Sequence, residues 1–170
     1  MVTSRLWIYR LISSILPETR CFRLKASLLR WCGAKVGTNV RINSSVCFSG
    51  GGELEIGDDV WIGAQDFIMS THPAKVVIGS RCDLGPQVSI VTGTHEIGKE
   101  DEGHIAGDGK SLSVIIGDGC WLGTRSVILP GVSLADKTLV GAGAVVVTSN
   151  RKGNELVAGV PAIVKKSYSC

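Results

Sequence analysis

Aliphatic residues recur every six positions along most of the chain, and this spacing limits the fold more than any other feature. The series is interrupted three times and returns to six each time, so it can be written as five groups of three. Its fifteen positions are Val36, Ile42, Phe48, Ile56, Ile62, Ile68, Ile78, Leu84, Ile90, Ile116, Leu122, Ile128, Leu134, Val140 and Val146. Four residues after most of them stands a second small or β-branched side chain. This pattern predicts a short strand and then a turn in every six residues.

Three such strands bring the chain back to its starting side after eighteen residues, which describes one coil of a parallel β-helix. Coils of this kind stack about 4.8 Å apart, pair through their backbones and bury one continuous aliphatic column. A sandwich of hairpins is the alternative, but three sides per repeat leave no alternating reversal of chain direction. The sequence therefore predicts an all-β protein, a parallel β-helix of about five coils.

Residues in excess of the repeat must leave the coil at a corner as loops. Two insertions are short, at residues 50–52 and around residues 69–75. The third is long, because Ile90 and Ile116 are 26 positions apart where the repeat needs 6. This polar, glycine-rich loop, near residues 94–113, contains His95 and His104. Loops of this size usually carry function.

The first 35 residues carry a net charge of +6, with Glu18 as their one acidic residue, and the remainder of the chain carries −3. Two amphipathic basic helices are predicted here, over residues 3–16 and 19–32, separated by Pro17. They could cap the open end of the β-helix, contact an anionic membrane surface, or do both. We therefore divide the chain into an N-terminal helical segment, residues 1–35, and a β-helix domain, residues 36–170.

Composition excludes several other classes of protein. A net charge of +3 without a clustered basic surface in the β-helix does not indicate nucleic-acid binding. No apolar stretch approaches the roughly 20 residues that span a bilayer, and none resembles a cleavable secretory signal, so we expect a cytoplasmic protein. The six cysteines show no spacing suited to zinc, and we expect no metal.

Five sequence runs carry a resemblance to a known family. They are residues 56–63 (IGDDVWIG), 116–123 (IGDGCWLG), 128–132 (ILPGV), 140–146 (VGAGAVV) and 158–162 (AGVPA). Over about residues 33–166 the chain resembles the hexapeptide-repeat acyltransferases, and among them the galactoside, maltose and colanic-acid type O-acetyltransferases. The resemblance implies a left-handed β-helix, a homotrimer and acetyl-CoA as co-substrate.

Acetyl transfer from a thioester to a hydroxyl needs a base near the alcohol, and histidine is the natural one. In the enzymes that this chain resembles, the catalytic histidine stands where a strand enters the long loop, which implies His95. His72 lies in the insertion one coil earlier, which should stack near His95, and is therefore a candidate acceptor contact. The resemblance implies a second acceptor contact at Gln65, where the family carries an acceptor-binding amide. Asp66 is a further acceptor candidate, although its nominally inward position, four residues after Ile62, also fits a hydrogen-bonded polar residue at a corner.

The last coils offer small corner residues that would let the pantetheine arm of CoA approach the backbone. Positions that match those whose main chain meets CoA in the family are Thr124, Ala142, Gly143, Val147 and Thr148. Trp121 points outward, where it could belong to a subunit interface and could also wall the thioester.

The C-terminal tail supplies Lys165 and Lys166 as charges for the nucleotide phosphates of CoA. Ile163 departs from the family pattern, which usually has a basic residue after the Pro-Ala pair. Arg151 and Lys152 could take its place.

The resemblance implies an acetyl-CoA-dependent O-acetyltransferase acting on a sugar or a cell-envelope polysaccharide precursor. An antibiotic-modifying xenobiotic O-acetyltransferase shares much of the pattern and stays open as the alternative. A γ-type carbonic anhydrase is less favoured, because its zinc needs three histidines, two of them close in sequence, whereas His95 and His104 are nine apart. A non-catalytic scaffold is the remaining alternative, and no motif specifies the acceptor.

Overall fold

The computed structural model describes residues 1–98 and 103–168, and its centre is a column of stacked three-sided coils. The helices in these residues are α1 (Thr3–Ser14) and α2 (Phe22–Trp31). The strands in these residues are, in chain order, β1 (Lys35–Val36), β2 (Arg41–Ile42), β3 (Cys47–Ser49), β4 (Glu53–Ile56), β5 (Trp61–Ile62), β6 (Phe67–Met69), β7 (Lys75–Ile78), β8 (Asp83–Leu84), β9 (Ser89–Val91), β10 (Gly93–Ile97), β11 (Ala106–Ser111), β12 (Val114–Ile116), β13 (Trp121–Leu122), β14 (Val127–Ile128), β15 (Ser133–Leu134), β16 (Leu139–Val140), β17 (Val145–Val146), β18 (Glu155–Ala158) and β19 (Ile163–Ser167).

The column has three faces of parallel strands. Face A contains β1, β4, β7, β12 and β15, and face C contains β3, β6, β9, β14 and β17. Face B contains β2, β5, β8, β13 and β16, followed by β18 and by the antiparallel β19. Equivalent residues stay in register, so that Ile116 pairs with Ile78 on one side and with Leu134 on the other. The predicted parallel β-helix of about five coils is confirmed, and its left-handedness stays an expectation from the resemblance.

The aliphatic series forms the core as predicted. Fourteen of its fifteen members are buried, and Val36, in the first coil, is half-buried. The second inward set is also buried apart from Thr94, which the spacing had placed inside. Thr94 lies on β10, outside the column, and Thr92 is buried instead. The chain therefore leaves the coil two residues earlier than the repeat predicts.

All three insertions leave the column at one corner, the C–A corner, where each coil passes from face C to face A. Residues 50–52 follow β3, residues 70–74 follow β6, and the long insertion follows β9. The long insertion forms an antiparallel arm of β10 and β11, not the irregular loop that its composition had suggested. Residues 99–102 of the predicted loop lie outside the described residues.

The two helices close the first end of the column, as expected of a cap. Leu6 and Tyr9 of α1 and Leu29 of α2 join the same core cluster as the first coil. The Tyr9 ring meets the Phe48 ring edge-on, with the ring centroids 5.6 Å apart. In the part of the chain that the structure describes, neither helix is both long and apolar enough to cross a bilayer.

The buried side of α2 differs from the side that its apolar residues predict. Leu24 and Trp31 are exposed, whereas Lys25 is buried. The Lys25 ammonium donates hydrogen bonds to the Glu18 carbonyl at 2.9 Å and to Ser44 Oγ at 3.1 Å. Burial lowers the pKa of Lys25. This lysine therefore ties the turn between the helices to the first coil.

Candidate active site

A groove of about 490 Å³ opens at the base of the arm, on the C–A corner. Its lining residues are Met69, Thr71, His72, Gly93, Thr94, His95, Gly109, Lys110 and Ser111. His95 lies on β10, which leaves the third coil, and His72 lies in the insertion that leaves the second coil. Because adjacent coils stack directly, the two histidines meet at one groove. We call it the histidine groove.

The arm orients the His95 imidazole. Nδ1 lies 2.9 Å from the Gly107 carbonyl oxygen on β11. A carbonyl oxygen only accepts hydrogen bonds, so Nδ1 carries the ring proton and Nε2 keeps a free lone pair. The ion pair between Lys110 and Glu96, at 2.6 Å, joins the two strands beside it. The exposed His95 ring is therefore held in the tautomer that can accept a proton at Nε2.

Sequence reasoning predicted only His72 and His95 among the lining residues, and the side chains that it missed include Met69, Thr71 and Lys110. Met69 could have been predicted from the repeat. It is the last residue of β6, and it pairs with Val91, the last residue of β9, from which the arm leaves. Thr71 is fixed by its backbone N–H, which donates to Thr92 Oγ1 at 2.8 Å. Lys110 reaches the groove only because the arm folds back, and the spacing of residues carried no signal for that.

The structure buries Asp66 inside the column, which argues against the acceptor-binding role predicted for it. Its side chain is 0% exposed. The carboxylate accepts backbone hydrogen bonds from Gly63 and Val88, each at 2.8 Å, across two adjacent coils. Burial raises the pKa of Asp66 to about 8, although these backbone N–H groups oppose the rise. Asp66 is a structural residue of the column, consistent with the alternative that its inward position suggested.

This burial gives the protein a pH-dependent stability that Asp66→Asn should remove. The pKa of Asp66 lies near 3.9 in the unfolded chain, which therefore ionises first as pH rises. The free energy of unfolding should fall between about pH 4 and pH 8, by up to about 1.4 kcal/mol per unit, and then level off. Urea unfolding across this range measures the slope. Asp83→Asn, at an exposed strand position, is the control for loss of one charge, and an unchanged slope in Asp66→Asn would contradict the assignment.

Gln65 lies on a different corner from the histidine groove. It stands at the B–C corner, where each coil passes from face B to face C, and its backbone is left-handed, with φ 61°. Its Oε1 accepts from Gln87 Nε2 at 2.7 Å, and Gln87 Oε1 accepts from Arg125 Nε at 2.5 Å. Within one chain, Gln65 therefore belongs to a polar ladder along the B–C corner and does not line the groove of His95.

The predicted CoA residues fall into two groups. The first lies on face B and at the B–C corner of the last coils, where an added Cβ at Gly143 would meet nothing within 4 Å. Trp121 is 54% exposed on face B. Thr124 and Ala142, also exposed, stand beside it at the corner. The register carries the same outward row from Trp121 through Leu139 and Leu156 to Lys166.

The second group lies at the last turn of the C–A corner. Val147 and Thr148 follow β17, and a groove of about 440 Å³ beside them includes Thr148, Arg151, Lys152 and Ile163 in its lining. Arg151 and Lys152 are thus brought to Ile163, where the family pattern expects a basic residue. Lys165 is exposed on β19, next to Lys166 and outside this groove. The basic candidates for phosphate binding are therefore divided between two places.

No group of three or more histidine, cysteine, aspartate or glutamate side chains suited to a metal occurs in residues 1–98 and 103–168.

Residues 113–148 match the family model described as the hexapeptide repeat of succinyl-transferase. The chain is 33% identical over 143 residues to the putative colanic acid biosynthesis acetyltransferase WcaF of Escherichia coli K12, covering 84% of this chain and 74% of that one. It is 33% identical over 141 residues to galactoside O-acetyltransferase of the same organism, covering 81% and 65%. A solved acetyltransferase from Vibrio cholerae, VCA0836 complexed with acetyl-CoA, has a TM-score of 0.66 at 18% identity, covering 99% and 87%.

The fold defines a β-solenoid built from hexapeptides, with a histidine groove at one corner. The identity to WcaF extends over most of both chains. The chain belongs to the hexapeptide-repeat acetyltransferases and is therefore an acyltransferase.

Proposed function

We propose that the protein is an acetyl-CoA-dependent O-acetyltransferase that modifies a hydroxyl of a sugar or of a cell-envelope polysaccharide precursor. The observation that carries the proposal is the His95 imidazole, oriented through Nδ1 by the Gly107 carbonyl at a groove that also contains His72. The names of the relatives support the acceptor class, since WcaF is assigned to colanic acid biosynthesis and the second relative acetylates galactosides.

His95 acts in this proposal as the general base. Nε2 takes the proton of the acceptor hydroxyl while the hydroxyl oxygen attacks the carbonyl carbon of the thioester. The tetrahedral intermediate collapses, the carbon–sulfur bond breaks, and the proton held on Nε2 passes to the leaving thiolate. The Gly107 carbonyl stabilises the imidazolium that exists between the two proton transfers, because its bond to Nδ1 is then charge-assisted.

His72 is proposed as an acceptor contact. It lies beside Thr71 in the insertion that forms one wall of the histidine groove, so its ring can donate or accept a hydrogen bond with a sugar hydroxyl. Gln65 stands on the opposite edge of face C from His95 of the same chain. We therefore propose Gln65 as an acceptor contact only in a site that contains the His95 of a neighbouring subunit.

CoA is proposed to lie along face B and the B–C corner. The residues fit an extended pantetheine arm, because Thr124, Ala142 and Gly143 leave that corner open and Trp121 offers an exposed ring. Lys166, in the same outward row, can meet a phosphate. Val147 and Thr148, with Lys165, are kept as weaker contacts because they lie away from this row.

We also propose a homotrimer, because one chain separates the two halves of the site. His95 stands at the C–A edge of face C, and Thr124 stands at the B–C edge. Between these edges the outward row of face C is largely apolar and half-buried, consisting of Cys47, Phe67, Ser89, Val127 and Val145. Three chains packed through face C would bring the C–A corner of one to the B–C corner of the next.

A shared site predicts complementation between two inactive variants. His95→Ala removes the base, and Thr124→Trp fills the CoA corner with an exposed, bulky ring. Neither alone should be active, whereas co-expressed chains should recover about a quarter of wild-type turnover, because random assembly pairs two intact halves at that frequency. Sedimentation checks for the trimer. An active monomer, or a mixture as inactive as its parents, would contradict the shared site.

Acetyl-CoA turnover against a panel of free sugars, sugar nucleotides and antibiotics tests the proposed reaction. Release of free CoA should depend on a sugar-type acceptor, and mass spectrometry should show one added acetyl group on the product. Turnover with antibiotics alone would assign the xenobiotic class instead. Binding of acetyl-CoA with no turnover on any acceptor would contradict the proposal.

We propose a cytoplasmic location, with peripheral contact at the inner face of the membrane. The charge of +6 in the first 35 residues supports this location, because the cytoplasmic leaflet carries anionic lipids.

A further inference from the structure

Helix α1 is apolar on two opposite sides. Leu6 and Tyr9 face the column and are buried. On the other side, Trp7, Leu11 and Ile15 follow one another at four-residue intervals and are 68%, 56% and 80% exposed. We call these three residues the outer ridge. A globular protein normally turns only polar side chains outward from such a helix, so a ridge of this kind indicates a binding surface.

The N-terminal segment that carries the outer ridge also exposes basic side chains. Arg10, Arg20 and Arg23 are exposed, and within the described part of the chain none of them forms an ion pair. The nearby acid, Glu18, is occupied: its carboxylate accepts hydrogen bonds from the backbone and hydroxyl of Ser45. Lys25 is buried and adds nothing to this surface. The exposed end of the molecule therefore combines apolar side chains with uncompensated positive charge.

The position of the cap adds a geometric argument, which rests on the trimer of the proposed function. Helix α1 contacts β3, and helix α2 contacts β1 and β2, all in the first coil, whereas the last coil lies at the other end of the column. Three parallel columns would carry their caps at the same end. Three outer ridges would then face one plane, and a flat surface could engage all of them together.

We propose that the outer ridge and its arginines form a membrane-docking surface that holds α1 in the interface of an anionic bilayer. Trp7, Leu11 and Ile15 enter the boundary between head groups and acyl chains, while the arginines meet lipid phosphates. The charge pattern selects this partner over a second copy of the chain, because two ridges packed together would oppose two sets of arginines. The surface would place the histidine groove near lipid-linked acceptors.

Flotation of the full-length protein with vesicles tests the proposal. Vesicles of phosphatidylcholine mixed with phosphatidylglycerol should carry the protein upward at low salt, and vesicles of phosphatidylcholine alone should carry much less. The triple variant Trp7→Ser, Leu11→Ser, Ile15→Ser should bind at least about tenfold more weakly, since it removes three apolar contacts per chain. A second variant, Arg10→Gln, Arg20→Gln, Arg23→Gln, should lose the salt-sensitive part of binding.

The far end of the column offers a matched control. Val160 and Ile163 are also exposed there, so Val160→Ser, Ile163→Ser removes apolar surface without touching the cap and should float like wild type. Equal flotation of the ridge variant and this control would overturn the proposal, as would wild type that ignores anionic vesicles. Assembly of trimers into pairs that the ridge variant abolishes would assign the surface to a second copy.

Turnover of a water-soluble acceptor, measured on the same samples, keeps this test separate from the proposed function. The ridge variant should retain it, because the substituted side chains are exposed and lie outside the histidine groove. Normal turnover without flotation would reject the docking surface and the peripheral location, and would leave the proposed reaction standing. Flotation without turnover on any acceptor would reject only the proposed reaction.

Discussion

His95→Ala should lower turnover by roughly two to four orders of magnitude, the usual contribution of a positioned general base. The variant removes the atom that accepts the hydroxyl proton and leaves the column untouched, because the His95 side chain lies on the arm. Its thermal unfolding and its binding of acetyl-CoA should therefore match those of wild type. Steady-state kinetics with saturating acetyl-CoA measure the loss.

The other two histidines provide the controls for this result. His72→Ala should raise the KM for the acceptor more than it lowers kcat, because the proposed role is a contact and not proton transfer. His104→Ala should have little effect, since His104 is not among the lining residues of the histidine groove. Near-normal turnover in His95→Ala would remove this residue from the mechanism. Equal losses in all three variants would point to a disturbed arm.

The six-residue period was enough to predict the column, because each inward position makes the same contacts as the positions one coil away. Because the same inward position recurs in every coil, one atypical residue does not obscure the period. It also explains why the insertions could be located: Ile90 and Ile116 had to stay in phase across whatever lay between them. The C–A corner that carries His95 was therefore predictable in outline.

Features that depend on single tertiary contacts were not predictable in the same way. Any hydropathy pattern would assign Lys25 to the solvent-exposed side of its helix. It is buried because a carbonyl oxygen and a hydroxyl oxygen accept hydrogen bonds from its ammonium group. The exposed Leu24 and Trp31 follow from that choice of helix face. The antiparallel arm was likewise not predictable, because β10 and β11 are largely exposed and carry no alternation of buried and exposed residues.

The candidate site shows the same division. His95 and His72 were brought together by coil stacking, which the repeat already contains. Gln65 and Asp66 are neighbours in sequence, yet one is exposed at a corner and the other is fully buried. Their fates differ because Asp66 occupies an inward site where backbone N–H groups from two coils converge. Chemical type alone could not separate the two residues.

Gly57→Ala should be among the most destabilising single substitutions in the column. Gly57 follows the inward Ile56, and a Cβ built on it would lie 2.6 Å from the Ser80 backbone nitrogen and 2.8 Å from the Gly79 carbonyl carbon. Neither backbone atom can yield, since the Gly57 N–H bonds the Ile78 carbonyl at 2.8 Å and fixes the coil spacing. We expect a loss of about 3 kcal/mol, the upper end of the usual cost of overpacking, or roughly 6–12 °C in Tm.

Two positions in the same chain make this prediction specific to coil stacking. Ala135 occupies the equivalent site after Leu134, where β15 ends face A and, among residues 1–98 and 103–168, no further strand of that face stacks on it. Gly109→Ala is the matched control, because an added Cβ on this arm residue meets nothing within 4 Å. It should leave Tm unchanged or raise it slightly through the entropy of the unfolded chain. If the Tm of Gly57→Ala were no lower than that of Gly109→Ala, the close approach of the backbones would not be the reason why glycine occupies these corners. The recurrence of glycine after the inward aliphatic residues would then need another cause.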